Sequence, residues 1–175
     1  GKEFIDEIEK RTAGRVKINY YPGGTLLTAP AMIDGIIKGI TDIGYTHIEY
    51  SPGRFLVTEV CDMPLGYPSA WVAGQCMNDF YEKFMPKEWD VVHPLWFNSS
   101  NPSLIICKKP VRKLEDLKGL IIRAPGRVGN VMKALGGTPA PTPMMEVYEA
   151  IAKGVNDGGL SPYETLKTFK FAEVV

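Results

Sequence analysis

The opening of the chain, GKEFIDEIEKRTAG, places Phe4, Ile5 and Ile8 at helical spacing, with Gly14 available as a C-terminal stop. The period then shortens. Val16, Ile18 and Tyr20 alternate with Lys17, Asn19 and Tyr21, which predicts a strand ended by the Pro-Gly-Gly break at 22–24. Thr28 offers a cap and Pro30 a first-turn residue for a second helix, whose apolar face is Met32, Ile33, Ile36, Ile37 and Ile40. TDIGYTHIEY predicts a short strand after it, left through the turn SPGRF, so a right-handed βαβ unit is expected. An apolar stripe from Trp71 to Phe84 predicts a long helix, and VVHPLWF, LIIC, LIIR and VNDGGLSP read as strands. Between them lie a polar crossing, NSSNPS, one helical turn in KKPVRKLEDLKG, a helix in VGNVMKALGG, a bend or edge segment in TPAP, and a helix that Thr142 and Pro143 introduce.

The two helix-to-strand turns share a pattern that hydropathy alone does not reveal. Residues 38–44, KGITDIG, align with residues 153–159, KGVNDGG, as K-G-[IV]-x-D-x-G. Each copy closes an amphipathic helix, places glycine where a left-handed stop costs little, and enters a strand through a β-branched residue. Chance recurrence of an ordinary turn is the plainer explanation, but seven aligned positions after similar helices favour two related lobes with a cleft between them. Asp42 and Asp157 are then expected at equivalent places in different lobes.

Composition narrows the function. The 175 residues are 45% hydrophobic, enough for a buried core, and twenty basic residues balance twenty acidic ones. Neither a nucleic-acid footprint nor a polybasic membrane surface is implied by such a charge balance. No apolar run approaches the roughly 20 residues that span a bilayer. Cys61, Cys76 and Cys107 are odd in number and widely spaced; three buried thiols are expected, one disulfide with a spare thiol being the alternative. With only His47 and His93 to join them, no metal site is expected. Serine-hydrolase, nucleotide-binding and metalloprotease signatures are all missing, which leaves an enzyme poorly supported.

The strand LIIR ends on a fixed cation, Arg123. An unpaired ion out of water costs several kcal/mol, roughly, and arginine cannot neutralise itself. On its own it reads equally as a strand-end side chain reaching for water. In open α/β sheets, however, ligands lie beyond the carboxyl ends of strands. By that rule Thr46, His47, Arg123 and Ser161 border the cleft, and a guanidinium there can grip a carboxylate through two parallel hydrogen bonds. His47 is either a backbone-bonded histidine or a donor in the cleft wall, and Asn130 either caps its helix or offers its amide to a ligand. His93 and Arg127 read as structural and solvated. Tyr45, Tyr50, Trp96 and Phe97 are singly core aromatics, but as a group they suggest an apolar or aromatic ligand tail.

The segments RTAGRVKINYYPGGTL, IIKGITDIGY, SPGRF followed by DMPLGYP, PVRKLEDLKGLIIRAPG, ALGGTPAPTPMMEVYEAIAKGVNDGGLSP and the final EVV cover most of the chain. Together they resemble the extracytoplasmic solute-binding proteins of TRAP (tripartite ATP-independent periplasmic) transporters, DctP-like. The resemblance implies an α/β, two-lobed periplasmic-binding-protein-like fold (type II-like) that closes over an organic acid without catalysis. It also implies periplasmic or extracytoplasmic location, membrane permease subunits as partners, no cofactor, and Arg123 as the group that binds the substrate carboxylate. On this pattern residues 1–97 form lobe I lacking its first strand, residues 98–107 an inter-lobe crossing strand, and residues 108–175 an incomplete lobe II. Unpaired strand edges and a large apolar surface are therefore expected.

The expected ligand-binding residues are Arg123, His47, Tyr45, Trp96, Asn98, Ser103, Asn130 and Ser161. Family members carry charged or amide groups in the crossing and after the DG strand. Here Asn98, Ser99, Ser100, Asn101, Ser103 and Ser161 supply only neutral polar atoms, which points to a monocarboxylate. A ligand-sensing domain of a regulator or receptor on the same fold is the competing reading.

Overall fold

Four segments enter one sheet, and all lie in the second half of the chain. A computed structural model describes residues 1–63 and 65–175. Strands β1 (Leu104–Cys107), β2 (Ile121–Arg123), β3 (Thr138–Ala140) and β4 (Gly158–Ser161) order as β1-β4-β2-β3. β2 runs parallel to β3 and β4, while β1 runs antiparallel to β4 with Leu104 opposite Ser161. β1 lies within the expected crossing, yet it pairs along its whole length with β4. Helix α4 (Gly126–Ala134) follows β2, and α5 (Val147–Ala152) follows β3. Leu117, Leu120, Ile122, Ala124 and Met132 form the buried core beneath the sheet, against Ile105, Val128 and Leu160. TPAP is thus an edge strand, and its proline fits there because an edge position can spare a donor.

The first half is helical and aromatic. It contains α1 (Lys2–Arg11), α2 (Met32–Ile37) and α3 (Ala70–Phe84), the last capped by Ser69, whose hydroxyl accepts from the Val72 N–H at 3.2 Å. Phe55 stacks on Trp89 at 4.0 Å, and the indole donates to the buried Thr58 hydroxyl at 2.8 Å, so the ring's polar edge is satisfied. Three expected strands, in RVKINYY, TDIGYTHIEY and VVHPLWF, join no ladder among the described residues. Their backbone bonds go elsewhere. The Phe97 N–H donates to the Asn78 side chain at 2.9 Å and its carbonyl accepts from the same amide at 2.8 Å, while Ile48–Tyr50 tightens into a 3-10 turn. Alternation predicts which face a segment shows, but a strand also needs a partner. Val16, Tyr20, Ile43, Tyr45, Leu95 and Trp96 all remain exposed along these segments.

The repeated turn recurs bond for bond. Gly39 and Gly154 both sit in the left-handed region, with φ of 71° and 73°. Ile40 donates to Gly35 and Val155 to Ala150, each at 2.8 Å, after helices of six residues. The aspartates then diverge. Asp157 accepts the Ile121 N–H at 2.8 Å and leads into β4, whereas Asp42 is exposed and enters no strand. The expectation of three buried thiols is corrected: the cysteines are free, but Cys76 is exposed on α3, and Cys61 and Cys107 are only half-buried. No helix among the described residues is long and apolar enough to cross a membrane.

A candidate anion site around Arg123

The three parallel strands bring their carboxyl ends together, and the polar atoms there converge on one guanidinium. Arg123 is the last residue of β2, Thr142 lies two residues past β3, and Leu160 and Ser161 finish β4. Arg123 stands in register with Gly159, whose missing side chain leaves the surface beside it open. A Cβ at Gly159 would come 3.5 Å from the Arg123 Cβ and 3.7 Å from the Ser161 hydroxyl, so all three share one face.

The Arg123 side chain is 4% exposed. Its Nε donates to the Thr142 carbonyl at 3.0 Å, Nη1 to the Leu160 carbonyl at 3.3 Å and Nη2 to the Tyr50 hydroxyl at 2.7 Å. All three acceptors are neutral. Among the described residues, the one carboxylate within 4 Å of it is Glu49, whose Oε1 is 3.9 Å from Nη2. Of five guanidinium hydrogens, one remains on each terminal nitrogen, the number a carboxylate takes end-on. Tyr50 also accepts the Met144 N–H at 3.4 Å, so its own proton is left to donate. The Ser161 hydroxyl, on the same face, is fully buried and has no hydrogen-bond partner among the described residues. Buried polar groups are rarely left so, and such a hydroxyl sharing a face with a guanidinium that keeps two free hydrogens makes this a candidate anion site.

Aromatic rings line the approach. Tyr45 meets His47 edge-on at 5.8 Å, and His47 meets Tyr50 edge-on at 6.2 Å. The Asn98 amide donates to the Tyr45 hydroxyl at 3.3 Å. Desolvation, then the Arg123 charge, pushes the His47 imidazole below its ordinary pKa, against a weaker upward pull from Asp62. Desolvation also raises Glu49, while Arg123 draws it down. Asp62 is raised by desolvation and then by Glu49 and Glu59.

Of the expected residues, Arg123, His47, Tyr45, Asn98 and Ser161 thus fall into one neighbourhood. Trp96 instead packs on Phe4 at 5.2 Å. Ser103 is exposed just before β1, and Asn130 is exposed on α4, one residue past the buried Gly129; neither side chain makes a hydrogen bond among the described residues. Arg127 is exposed, in keeping with the solvated reading, but it lies on α4 and also pairs with the buried Glu59, which accepts the Gly53 N–H at 3.1 Å. Glu49, Pro52, Glu59, Asp62, Gly126, Arg127 and Val128 line a small cavity, to which Arg123 itself does not contribute. Glu49 and Tyr50 had a sequence signal in their place just after His47. Glu59 and Thr142 had none.

The sequence profile described as "Bacterial extracellular solute-binding protein, family 7" matches residues 2–175. The 2,3-diketo-L-gulonate-binding periplasmic protein YiaO of Escherichia coli is 28% identical over 99% of this chain and 54% of its own length. A TRAP periplasmic solute-binding protein from Desulfovibrio salexigens, solved as an open complex, is 42% identical with a TM-score of 0.76, covering 99% of this chain and 54% of that one. Another from Bordetella bronchiseptica, solved with (R)- and (S)-mandelate, is 32% identical with a TM-score of 0.88, covering 99% and 56%. The chain spans about half the length of the relatives it matches, 54% of YiaO for instance. Such neighbours are two-lobed α/β proteins, and the family's members are periplasmic binding proteins of small organic acids. With the profile matching nearly end to end, the chain belongs to the DctP family of TRAP solute-binding proteins.

Proposed function

We propose that this chain forms part of a periplasmic solute-binding protein that captures an organic monocarboxylate between two lobes and hands it to membrane permease subunits. Residues 1–97 and 108–175 would be the lobes and 98–107 the crossing. The observation that carries the reading is Arg123, a buried cation whose three hydrogen-bond partners are all neutral oxygens. Arg123 takes the ligand carboxylate, with Tyr50 and Ser161 as added hydrogen-bond donors. Tyr45 and His47 face an apolar or aromatic tail, a reading supported by their edge-on rings and by the mandelate bound in the Bordetella relative. Binding selects a closed arrangement of the lobes from those the protein already samples.

The test is mass spectrometry of small molecules released from protein purified from its native gene, followed by calorimetric titration with what is found. One acid bearing a single carboxylate, binding at one site, is the expected result. A released ligand without an acid group, or one that binds equally well without the Arg123 side chain, overturns the reading.

A further inference from the structure

Glu49 puts a second carboxylate where a ligand's would come. Its Oε1 is 3.9 Å from Arg123 Nη2. A ligand oxygen hydrogen-bonded to the same nitrogen sits about 3 Å from it, so the two oxygens lie within about 7 Å of each other whatever the angle. Two carboxylates that close, away from bulk water, resist being ionised together.

The Glu49 backbone has little room to retreat. A Cβ added at Gly126 would fall 2.9 Å from the Glu49 carbonyl and 3.0 Å from its Cβ, so this backbone is pressed against the first turn of α4. Arg127, in the same turn, pairs with Glu59 and also draws down Asp62, so two other carboxylates already share its charge. The other ionisable groups facing Glu49 are His47 and Tyr50 on its own segment and Asp62 on the Thr58–Asp62 turn. His47 is held toward its neutral form and Asp62 only adds negative charge.

We infer that Glu49 is a resident competitor for Arg123, and that binding of an acid is coupled to uptake of one proton at Glu49. The inference rests on the reading that Arg123 holds the ligand carboxylate. Without ligand, the Arg123 charge stabilises the Glu49 carboxylate. With ligand, that charge is shared, and Glu49 closes the deficit by protonating from solvent. Affinity is then highest below the Glu49 pKa of the free protein, falls about tenfold per pH unit above it, and levels off above the Glu49 pKa of the complex. Glu49 sets specificity as well, since a ligand with a second carboxylate on that side adds repulsion that one proton does not relieve.

Two measurements test this. The first needs no ligand: carboxyl-carbon NMR titration of glutamate-labelled protein, with the Glu49 signal identified by its loss in Glu49→Gln. Replacing Arg123 with glutamine is expected to move the Glu49 midpoint up; an unmoved midpoint overturns the coupling. The second is calorimetry with mandelate at several pH values and in two buffers of different ionisation enthalpy. Net proton uptake in wild type and none in Glu49→Gln is expected, with the variant binding more tightly at neutral pH. Proton uptake that survives in Glu49→Gln but vanishes in Asp62→Asn overturns the assignment. Should mandelate fail to bind wild type, the aromatic-acid reading of the ligand fails, while the NMR titration still decides the role of Glu49.

Discussion

Replacing Arg123 separates charge from shape at the centre of the site. Alanine removes the guanidinium and leaves the Thr142 carbonyl, the Leu160 carbonyl and the Tyr50 hydroxyl without their donor. Lysine restores a positive charge, but as a single compact ammonium on a flexible stem it cannot reach three diverging oxygens and also offer two parallel N–H groups to a ligand. Truncating one partner of a buried hydrogen-bonded charge pair costs about 2 to 5 kcal/mol, so Arg123→Ala is expected to weaken ligand binding by roughly 30-fold to several thousand-fold. Arg123→Lys is expected to recover only part of that loss and to discriminate less among acids of different shape. The assay is calorimetric titration of wild type and both variants with the acid recovered from the native protein. Thermal melting comes first, because the vacated carbonyls also destabilise the fold. Should Arg123→Ala bind within about threefold of wild type, under 1 kcal/mol, the guanidinium is a structural tie between β2, β3 and β4 and not a ligand anchor.

Tyr50→Phe takes away the acceptor of Arg123 Nη2 in a site almost closed to water, and is expected to lower stability by about 1.5 to 3 kcal/mol in urea unfolding. An unchanged midpoint would show that water replaces the hydroxyl. The diverged repeat predicts unequal aspartates: Asp157→Ala loses the bond to the Ile121 N–H and costs about 1 to 3 kcal/mol, whereas Asp42→Ala, at an exposed position, stays within about 0.5 kcal/mol. Equal effects would contradict the structural difference between the two turns. Asp62 has a raised pKa, so its carboxylate weakens the fold as pH rises past the ordinary carboxylate range. Asp62→Asn is expected to stabilise the fold slightly at neutral pH, by less than about 1 kcal/mol given its exposure, and not at all well below pH 3.8, the ordinary value, as followed by thermal melting. A stabilisation that persists in acid would assign the effect to packing.

Helices and the second-half strands were legible because their signals are local. The apolar stripe of α3 and the glycine stops after α2 and α5 each act within a few residues. LIIC, LIIR and GGLS were legible too, as short apolar or small-residue runs between clear breaks. The first-half strands were misread for a physical reason. RVKINYY alternates and VVHPLWF is an apolar run, but hydrogen bonding across a ladder is a property of two segments, and the Phe97 backbone finds the Asn78 side chain instead. The anionic side of the site was the least legible part. Glu59 and Asp62 sit in a loop with no periodic signal, and only the fold brings Arg127, 68 residues after Glu59, into contact with it.

The site's chemistry follows from strand direction more than from any motif. Because β2, β3 and β4 are parallel, their carboxyl ends meet at one edge of the sheet, and the carbonyls of Thr142 and Leu160 can converge on a side chain from the strand between β3 and β4. An arginine at the centre of that edge is satisfied by backbone it does not belong to, which is why a short apolar strand tolerates a charge at its last position. Those two carbonyls hold the guanidinium without neutralising it, and with Glu49 at 3.9 Å the site keeps a partly compensated positive charge beside an unpaired Ser161 hydroxyl. A fully paired ion in the same place would stabilise the fold and bind nothing. On the proposed reading of Arg123 as the carboxylate anchor, the 3.9 Å separation from Glu49 sets how one charge is divided between holding the protein together and receiving an acid.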